Sequence, residues 1–313
     1  MECFKTTQNN YTHKITLKPS VRCDQQCWFC DEYDNNESDW SLEDSENIIL
    51  KIKEMFSCDD KLFIYLYGGE PLLYKHWENL IFELLDLDLD ISIQIQTNLS
   101  ISNKRLELFY SNISHVDQPR LEFCSSYHLG KQKVNDFVEK LNTLKKFNGL
   151  GYCFFNTDVG LETQFKDEFL IVKKVIGNKL KVRFTEADPT NIPNNYPKEA
   201  KEFIGKNFDY LYFKDFDYIK DSLEEEFTFS YDNSIYNFSE LISKDLNEFK
   251  LWKCDCGTQN MVIDNNLNVY YCNDDYTNNH YGIKLKDLNK DFFKLKYCMN
   301  DVCHDGLEYR KWK

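Results

Sequence analysis

The chain has 313 residues, a formal net charge of −14 and a pI near 5.0, enough length for one large domain or two modest ones. That acidity argues against nucleic acid as the main partner, because phosphate binding draws on a basic surface. No apolar run approaches a membrane span, and the N-terminal M-E-C-F-K-T-T-Q-N-N lacks a signal peptide's apolar core, so a cytoplasmic protein with no membrane partner is expected.

Twelve cysteines in a reducing compartment read as metal ligands or free thiols rather than disulfides. In chain order, the first strand-like run is His13–Ser20, and Cys23, Cys27 and Cys30 follow it directly in C-D-Q-Q-C-W-F-C. Three thiolates so closely spaced can hold three irons of a [4Fe–4S] cube and leave the fourth iron open to another ligand. A zinc knuckle would need a fourth Cys or His nearby, and none follows at that spacing. The third reading is three surface cysteines met by chance.

Ser41-Leu42-Glu43-Asp44 then reads as a helix start, with Ile48, Ile49, Ile52 and Phe56 at helical spacing. Further strand-like runs are Leu62–Tyr67, Ile91–Thr97, Arg120–Ser126, Gly149–Phe155 and Leu180–Thr185. Apolar stripes at Val134, Phe137, Val138, Leu141 and Leu144, and at Phe169, Val172, Val175 and Ile176, mark two more helices between them. Strands alternating with helices predict a parallel sheet with right-handed crossovers. Ligands of such sheets bind at the carboxyl ends of the strands. The second run ends in Gly68-Gly69-Glu70-Pro71, the third in Gln96-Thr97-Asn98 and the fourth in Cys124-Ser125-Ser126-Tyr127-His128, so these converge with the cysteine loop on one mouth. Gly68 and Gly69 would let the backbone approach a ligand closely, and Pro71 would fix the turn. An ordinary Gly-Gly-Pro turn is the plain alternative.

C-x3-C-x2-C after a first strand, with Phe29 before its last cysteine, then G-G-E-P and Q-T-N at successive strand ends, resembles the radical S-adenosylmethionine (SAM) superfamily. The resemblance implies an open partial (β/α)6 TIM-like barrel over residues 1–190, with Cys23, Cys27 and Cys30 holding the [4Fe–4S] cluster. It further implies SAM contacts at Phe29, Gly68, Gly69, Glu70, Pro71, Thr97, Asn98 and Ser126. The expected activity is reductive cleavage of SAM to a 5′-deoxyadenosyl radical that abstracts hydrogen from a substrate, with an electron donor such as flavodoxin or ferredoxin. His128 stands where the commoner S-L-D-G string has aspartate. Cys124 shares strand parity with Ser126, which makes its thiol a candidate hydrogen-atom donor to a substrate radical.

Residues 191–250 break the rhythm and read as a bridging segment. It comprises a loop over Asn191–Pro197, a short helix over Lys198–Phe208, the acidic Glu224-Glu225-Glu226 and a strand at Phe227–Tyr231 before an Asp232-Asn233 turn. Residues 251–313 carry a second cysteine set. Two short strands turning at Asn265-Asn266 would bring Cys254 and Cys272 together, while Cys298 and Cys303 would complete a tetrahedral site, with Cys256 spare or an alternative ligand. Spacing alone leaves zinc and iron–sulfur both open. The resemblance extends here to a small cysteine-rich α+β SPASM or twitch domain and so implies an auxiliary [4Fe–4S] cluster. Leu267 stands where that family has a turn glycine.

A cluster of this kind assists an oxidation, which suits a small polar substrate such as a carbohydrate; the other substrate class is a ribosomally made peptide, epimerised, cross-linked or oxidised. Only about a dozen residues precede the first strand, leaving no room there for a leader-binding domain, which favours the small molecule. A non-catalytic iron–sulfur protein or a zinc-binding interaction protein are the readings from other classes.

Overall fold

Alternation with a period of two builds strands at the centre of the main sheet. In Lys61–Leu66 (β3) of the computed structural model, Leu62, Ile64 and Leu66 are buried, while Phe63 and Tyr65 on the opposite face are half-buried. The structure describes residues 3–6, 11–27, 30, 32–157, 162–184, 229–231, 234–236, 244, 248–280, 282–300 and 311–312. His13–Leu17 (β2) pairs in parallel with β3, and Asp90–Thr97 (β4), Leu121–His128 (β5), Leu150–Thr157 (β6) and Leu180–Phe184 (β7) follow, each parallel to the last. These are the six strands read from the sequence, and they form a partial TIM-like α/β barrel.

Leu42–Met55 (α1) begins at the expected helix start, where Ser41 and Asp44 form a capping box, each satisfying the other's backbone N–H. Two helices that the apolar spacing did not reveal, Trp77–Leu85 (α2) and Asn103–Ser111 (α3), fill the next two crossovers. Both have only nine residues, too short to repeat an apolar stripe clearly. Val134–Lys146 (α4) and Glu162–Ile176 (α5) complete the set. The core lies between these helices and the sheet, where Trp77, Phe109, Phe123, Phe137, Phe155 and Phe169 are wholly buried.

Residues outside the six-strand pattern enlarge this sheet and add another. After Lys253–Cys254 (β10) and the short helix Cys256–Gln259 (α6), strand Asn260–Ile263 (β11) lies parallel to β2 on its free edge. Asn268–Tyr270 (β12) and Ile283–Lys284 (β13) extend it, and the helix Asn273–Thr277 (α7) sits between them in sequence. The cysteine-rich hairpin therefore continues the barrel sheet. Trp40 Nε1 ties it down further, donating to Asp264 O at 2.9 Å. At the hairpin tip, Leu267 adopts φ +57°, the left-handed conformation for which a glycine was expected. Asp264 Oδ1 accepts from Asn266 N and Asn268 N at 2.9 and 2.7 Å, and Leu267 packs against the core, which offsets the strain.

Among the described residues the other sheet joins Cys3–Thr6 (β1), Phe229–Tyr231 (β8), Ser234–Tyr236 (β9), β10, Lys296–Tyr297 (β14) and Lys311–Trp312 (β15). The sequence reading gave β1 no role; it pairs antiparallel with both β8 and β15. Lys198–Phe208 and the acidic run lie outside the described residues, as do Phe29 and Cys303.

Arg120 locks the segment entering β5. Its guanidinium donates to Ile91 O, Leu85 O and Leu89 O at 2.9, 3.0 and 3.3 Å and pairs with Asp117 at 2.8 Å. Charged donors to buried carbonyls contribute about 1.5–3 kcal/mol, so Arg120→Ala should lower stability by ~2–3 kcal/mol. Anaerobic urea unfolding of the metal-free chain measures this; a loss below ~0.5 kcal/mol, the level of an ordinary surface substitution, would show the contacts to be idle.

Candidate active site

Beyond β2 the chain runs as an extended segment, Lys18 to Arg22, into the first cysteines. Gly69 N donates to Ser20 O at 3.2 Å, and Glu70 N to Arg22 O at 2.7 Å. A Cβ on Gly68 would lie 2.3 Å from Ser20 O, and one on Gly69 2.4 and 2.5 Å from Arg22 O and Val21 O. The two glycines are thus required by backbone packed on backbone. That closeness admits the Ser20–Arg22 segment that delivers Cys23, and both glycines also line the cavity. Arg22 then pairs with Asp39 through both arms of its guanidinium, and Cys23 N donates to Asn35 Oδ1 at 3.0 Å, closing the loop at its far side.

Glu70 joins two strand ends. Fully buried, its carboxylate accepts from Leu72 N at 3.0 Å, Thr97 Oγ1 at 2.6 Å and Asn98 N at 2.6 Å. Pro71 opens the single 3-10 turn Pro71–Leu73 that Glu70 caps. Burial pushes the Glu70 carboxyl up to about 7, the three donors opposing the shift. Asn98 reaches onward, its Nδ2 3.0 Å from Asp24 Oδ1 and 3.7 Å from Cys23 Sγ. G-G-E-P, Q-T-N and the cysteine loop are therefore one hydrogen-bonded unit.

Cys23, Cys27 and Cys30 line a single cavity of about 430 Å³ together with Gly68, Gly69, Thr97, Asn98 and Ser126. Burial drives the Cys23 and Cys27 thiols up to about 11. Three thiols lining one cavity are the donor set of a thiolate-bound cluster, which would displace their protons on binding. Among the described residues, no three Cys, His, Asp or Glu side chains converge closely enough for a single metal ion. A cube, whose irons sit at separate corners, does not ask that of its ligands.

Several cavity residues escaped the sequence reading. Phe63, Tyr65 and Tyr67 stand in a stacked row on the inner face of β3, with Tyr67–Tyr65 and Tyr65–Phe63 centroids 5.5 and 6.4 Å apart. Gln96 Nε2 donates to Ser126 Oγ at 2.9 Å, and Tyr152 O–H to Gln96 Oε1 at 3.2 Å, which fixes Ser126. His128 lines the cavity with Nδ1 3.3 Å from Cys27 Sγ and Nε2 3.4 Å from Asn156 Nδ2. Asn156 and Asn273 also line it, each with a buried Oδ1 that no protein group satisfies. The alternation of β3 was legible, but which face would be lined with aromatic rings was not. Asn273 is brought in by a hairpin more than two hundred residues from the cysteine loop, and no local pattern marks it.

Cys124 faces inward as its parity predicts, yet it is wholly buried, and its thiol contacts the phenol of Tyr152, the residue that does line the cavity. In the C-terminal set Cys254, Cys256, Cys272 and Cys298 are all buried. Cys254 and Lys296 face each other across the β10–β14 ladder, and Cys298 follows on the same face two residues on.

Gly69→Ala should displace the Val21–Arg22 backbone and cut iron uptake at the first cysteine set by at least half, read as iron and sulfide per chain after anaerobic reconstitution. Unchanged iron would mean that the loop tolerates the shift. The raised Glu70 carboxyl gives a second test. Between its ordinary 4.5 and about 7, the folded chain holds a proton that the unfolded chain has released. The metal-free protein should therefore lose stability as pH rises through that window. Glu70→Gln should flatten the dependence, checked by urea midpoints at about pH 5 and 7.5; an equal slope in both proteins would place the titration elsewhere.

Residues 17–169 match the family model described as Radical SAM superfamily. No curated protein matches the chain. Among solved structures the fold is similar to native anSMEcpe with bound AdoMet, at 16% identity and a TM-score of 0.56 over 90% of this chain and 79% of that one. It is similar also to native anSMEcpe with bound AdoMet and the Kp18Cys peptide, at 16% identity, a TM-score of 0.55 and the same coverage. Streptococcus suis SuiB bound to S-adenosylmethionine matches at 15% identity and a TM-score of 0.51, over 91% of this chain and 66% of that one.

Proposed function

Because this chain belongs to the radical SAM superfamily through its domain at residues 17–169, we propose that it is an enzyme abstracting hydrogen from a small polar substrate such as a carbohydrate. The observation that carries this reading is the shared cavity, in which three cysteines meet the ends of β3, β4 and β5. Family membership implies a [4Fe–4S] cluster and SAM, and the three thiols that line the cavity fit that cluster. When bound, these groups supply one-electron cleavage of SAM to methionine and a 5′-deoxyadenosyl radical that takes a hydrogen atom from substrate.

The chain's own residues hold and shield. Cys23, Cys27 and Cys30 are the cluster ligands in this reading, with Phe29 beside them. Gly68, Gly69, Thr97, Asn98 and Ser126 offer donors and acceptors to SAM along the strand ends. Glu70 and Pro71 keep those ends in register; any contact of Glu70 with the SAM amino group would add to the three donors its carboxylate already serves. The aromatic row of β3 walls the cavity with groups that exclude water. The unsatisfied Oδ1 atoms of Asn156 and Asn273 favour a ligand rich in hydroxyl or N–H donors, which suits a sugar. A peptide also carries N–H donors, and the peptide-bound relative of the same fold supports that as the second reading. Hydrogen return from Cys124 would have to be relayed, since the thiol contacts the phenol of Tyr152, the one of the two that lines the cavity. The second cysteine set, read as Cys254, Cys272, Cys298 and Cys303, would hold an auxiliary [4Fe–4S] cluster to accept an electron from the substrate radical.

Reconstituted protein with SAM and dithionite should release methionine and 5′-deoxyadenosine, and the Cys23/Cys27/Cys30→Ala triple variant should release neither. Wild-type protein should carry about eight irons and the triple variant about four, one [4Fe–4S] cluster being lost. Iron bound without SAM cleavage would leave an electron-transfer protein in place of an enzyme. Zinc at the second set, with about four irons in total, would make that site structural.

A further inference from the structure

Cys256, by its spacing spare or an alternative ligand, is wholly buried and its thiol lies beside Cys254 and Cys272. Its backbone N–H also points at Cys254 Sγ, 3.5 Å away. The short helix α6 creates this arrangement, because Cys256 is its first residue and turns back over the end of β10. Gly257 lets the turn pack tightly, since a Cβ there would lie 2.2 Å from Lys294 O. The hairpin β11–β12 then returns Cys272 to the same point. Cys298, by contrast, directs its sulfur at Asn300 O, 3.8 Å away.

A second observation marks this spot as one for negative charge. Lys296, whose side chain is 5% exposed, reaches from β14 to within 3.9 Å of Cys272 Sγ, while pairing with the buried Asp275. A lysine is buried only where charge meets it, and thiolates bound to a metal supply such charge.

We propose that Cys254, Cys256 and Cys272 are the ligand face of the second metal centre, with Cys256 a ligand and Lys296 its buried counter-charge. The assignment rests on the reading of the C-terminal set as an iron–sulfur site. Of the two places the spacing left open for Cys256, spare or alternative ligand, it gives the ligand's. The helical turn at Cys256 brings its thiol beside that of Cys254 although the two are only two residues apart.

Iron and sulfide per chain after anaerobic reconstitution decide the matter, with Cys256→Ser and Cys272→Ser compared. Both variants should fall from about eight irons to about four, and the four that remain at the first site report an intact sheet. Cys272→Ser at about four irons beside Cys256→Ser at about eight would overturn the assignment of Cys256 alone. Wild-type protein with about four irons would instead defeat the iron–sulfur reading on which it rests. Thiol footprinting of wild-type protein needs no substitution. With N-ethylmaleimide in mild urea, reconstitution should slow labelling of Cys256 as much as that of Cys272, and protection of Cys272 without Cys256 would overturn the proposal. In Lys296→Met, the second centre's midpoint potential should shift negative in a redox titration followed by EPR, while the first centre's stays put. An unmoved potential would remove Lys296 from the assignment.

Discussion

The structure turns on the place where the backbone of Ser20–Arg22 lies directly on Gly68 and Gly69. Two hydrogen bonds and two missing Cβ atoms let the end of β3 serve as a platform for the segment that carries Cys23. Every other feature of the mouth follows from that contact. Glu70 is fixed by its position after the glycines, and it spends its carboxylate on Thr97 and Asn98, which brings the end of β4 to the same level. Asn98 then reaches back to Cys23 and Asp24. The cysteine loop is thereby held from the ends of the strands around it.

Much of this was legible in the sequence because its signals are local. Six strands, the helix start at Ser41, and the convergence of three motifs on one mouth all follow from period, composition and chain order. What was not legible depends on partners distant in the chain. The glycines of G-G-E-P give no local sign that the backbone of Ser20 and Val21 packs against them. Leu267 looks like a departure at a turn until its φ of +57° shows the turn unchanged. Asp264, rather than a glycine, shapes that tip. Cys256 looks spare because a helix of four residues, too short for any periodic signal, is what brings it round to Cys254 and Cys272.

The hairpin that carries Cys272 is a continuation of the barrel sheet, and this bears on how the two cysteine sets relate. β11 pairs with β2 over four residues in register, Asn260 to Lys14 through Ile263 to Leu17. The strand that ends at the first cysteine loop is therefore flanked by β3 on one side and β11 on the other. Shifting that register by one residue would turn Met261 and Ile263 from the core to the other face, so the pairing is strongly specified. Asn273, next to Cys272, consequently enters the wall of the cavity that holds Cys23, Cys27 and Cys30.

Lys18 makes the positions of the two sets depend on each other. Its side chain is wholly buried, a costly place for an ammonium unless its charge is met on several sides. Glu32, two residues past Cys30, supplies the ion pair at 2.9 Å. The ring of Tyr67, just before Gly68, lies 5.0 Å from the ammonium, and that of Tyr276, four residues past Cys272, lies 3.6 Å from it. Cation–π attraction is strongest where water is excluded, so both rings contribute more here than they would at the surface. Removing any one of the three would leave the charge short of a partner and would be felt at the other two. One buried cation thus joins the cysteine loop, the glycine platform and the helix after Cys272. The cavity between them acquires its shape from both halves of the chain.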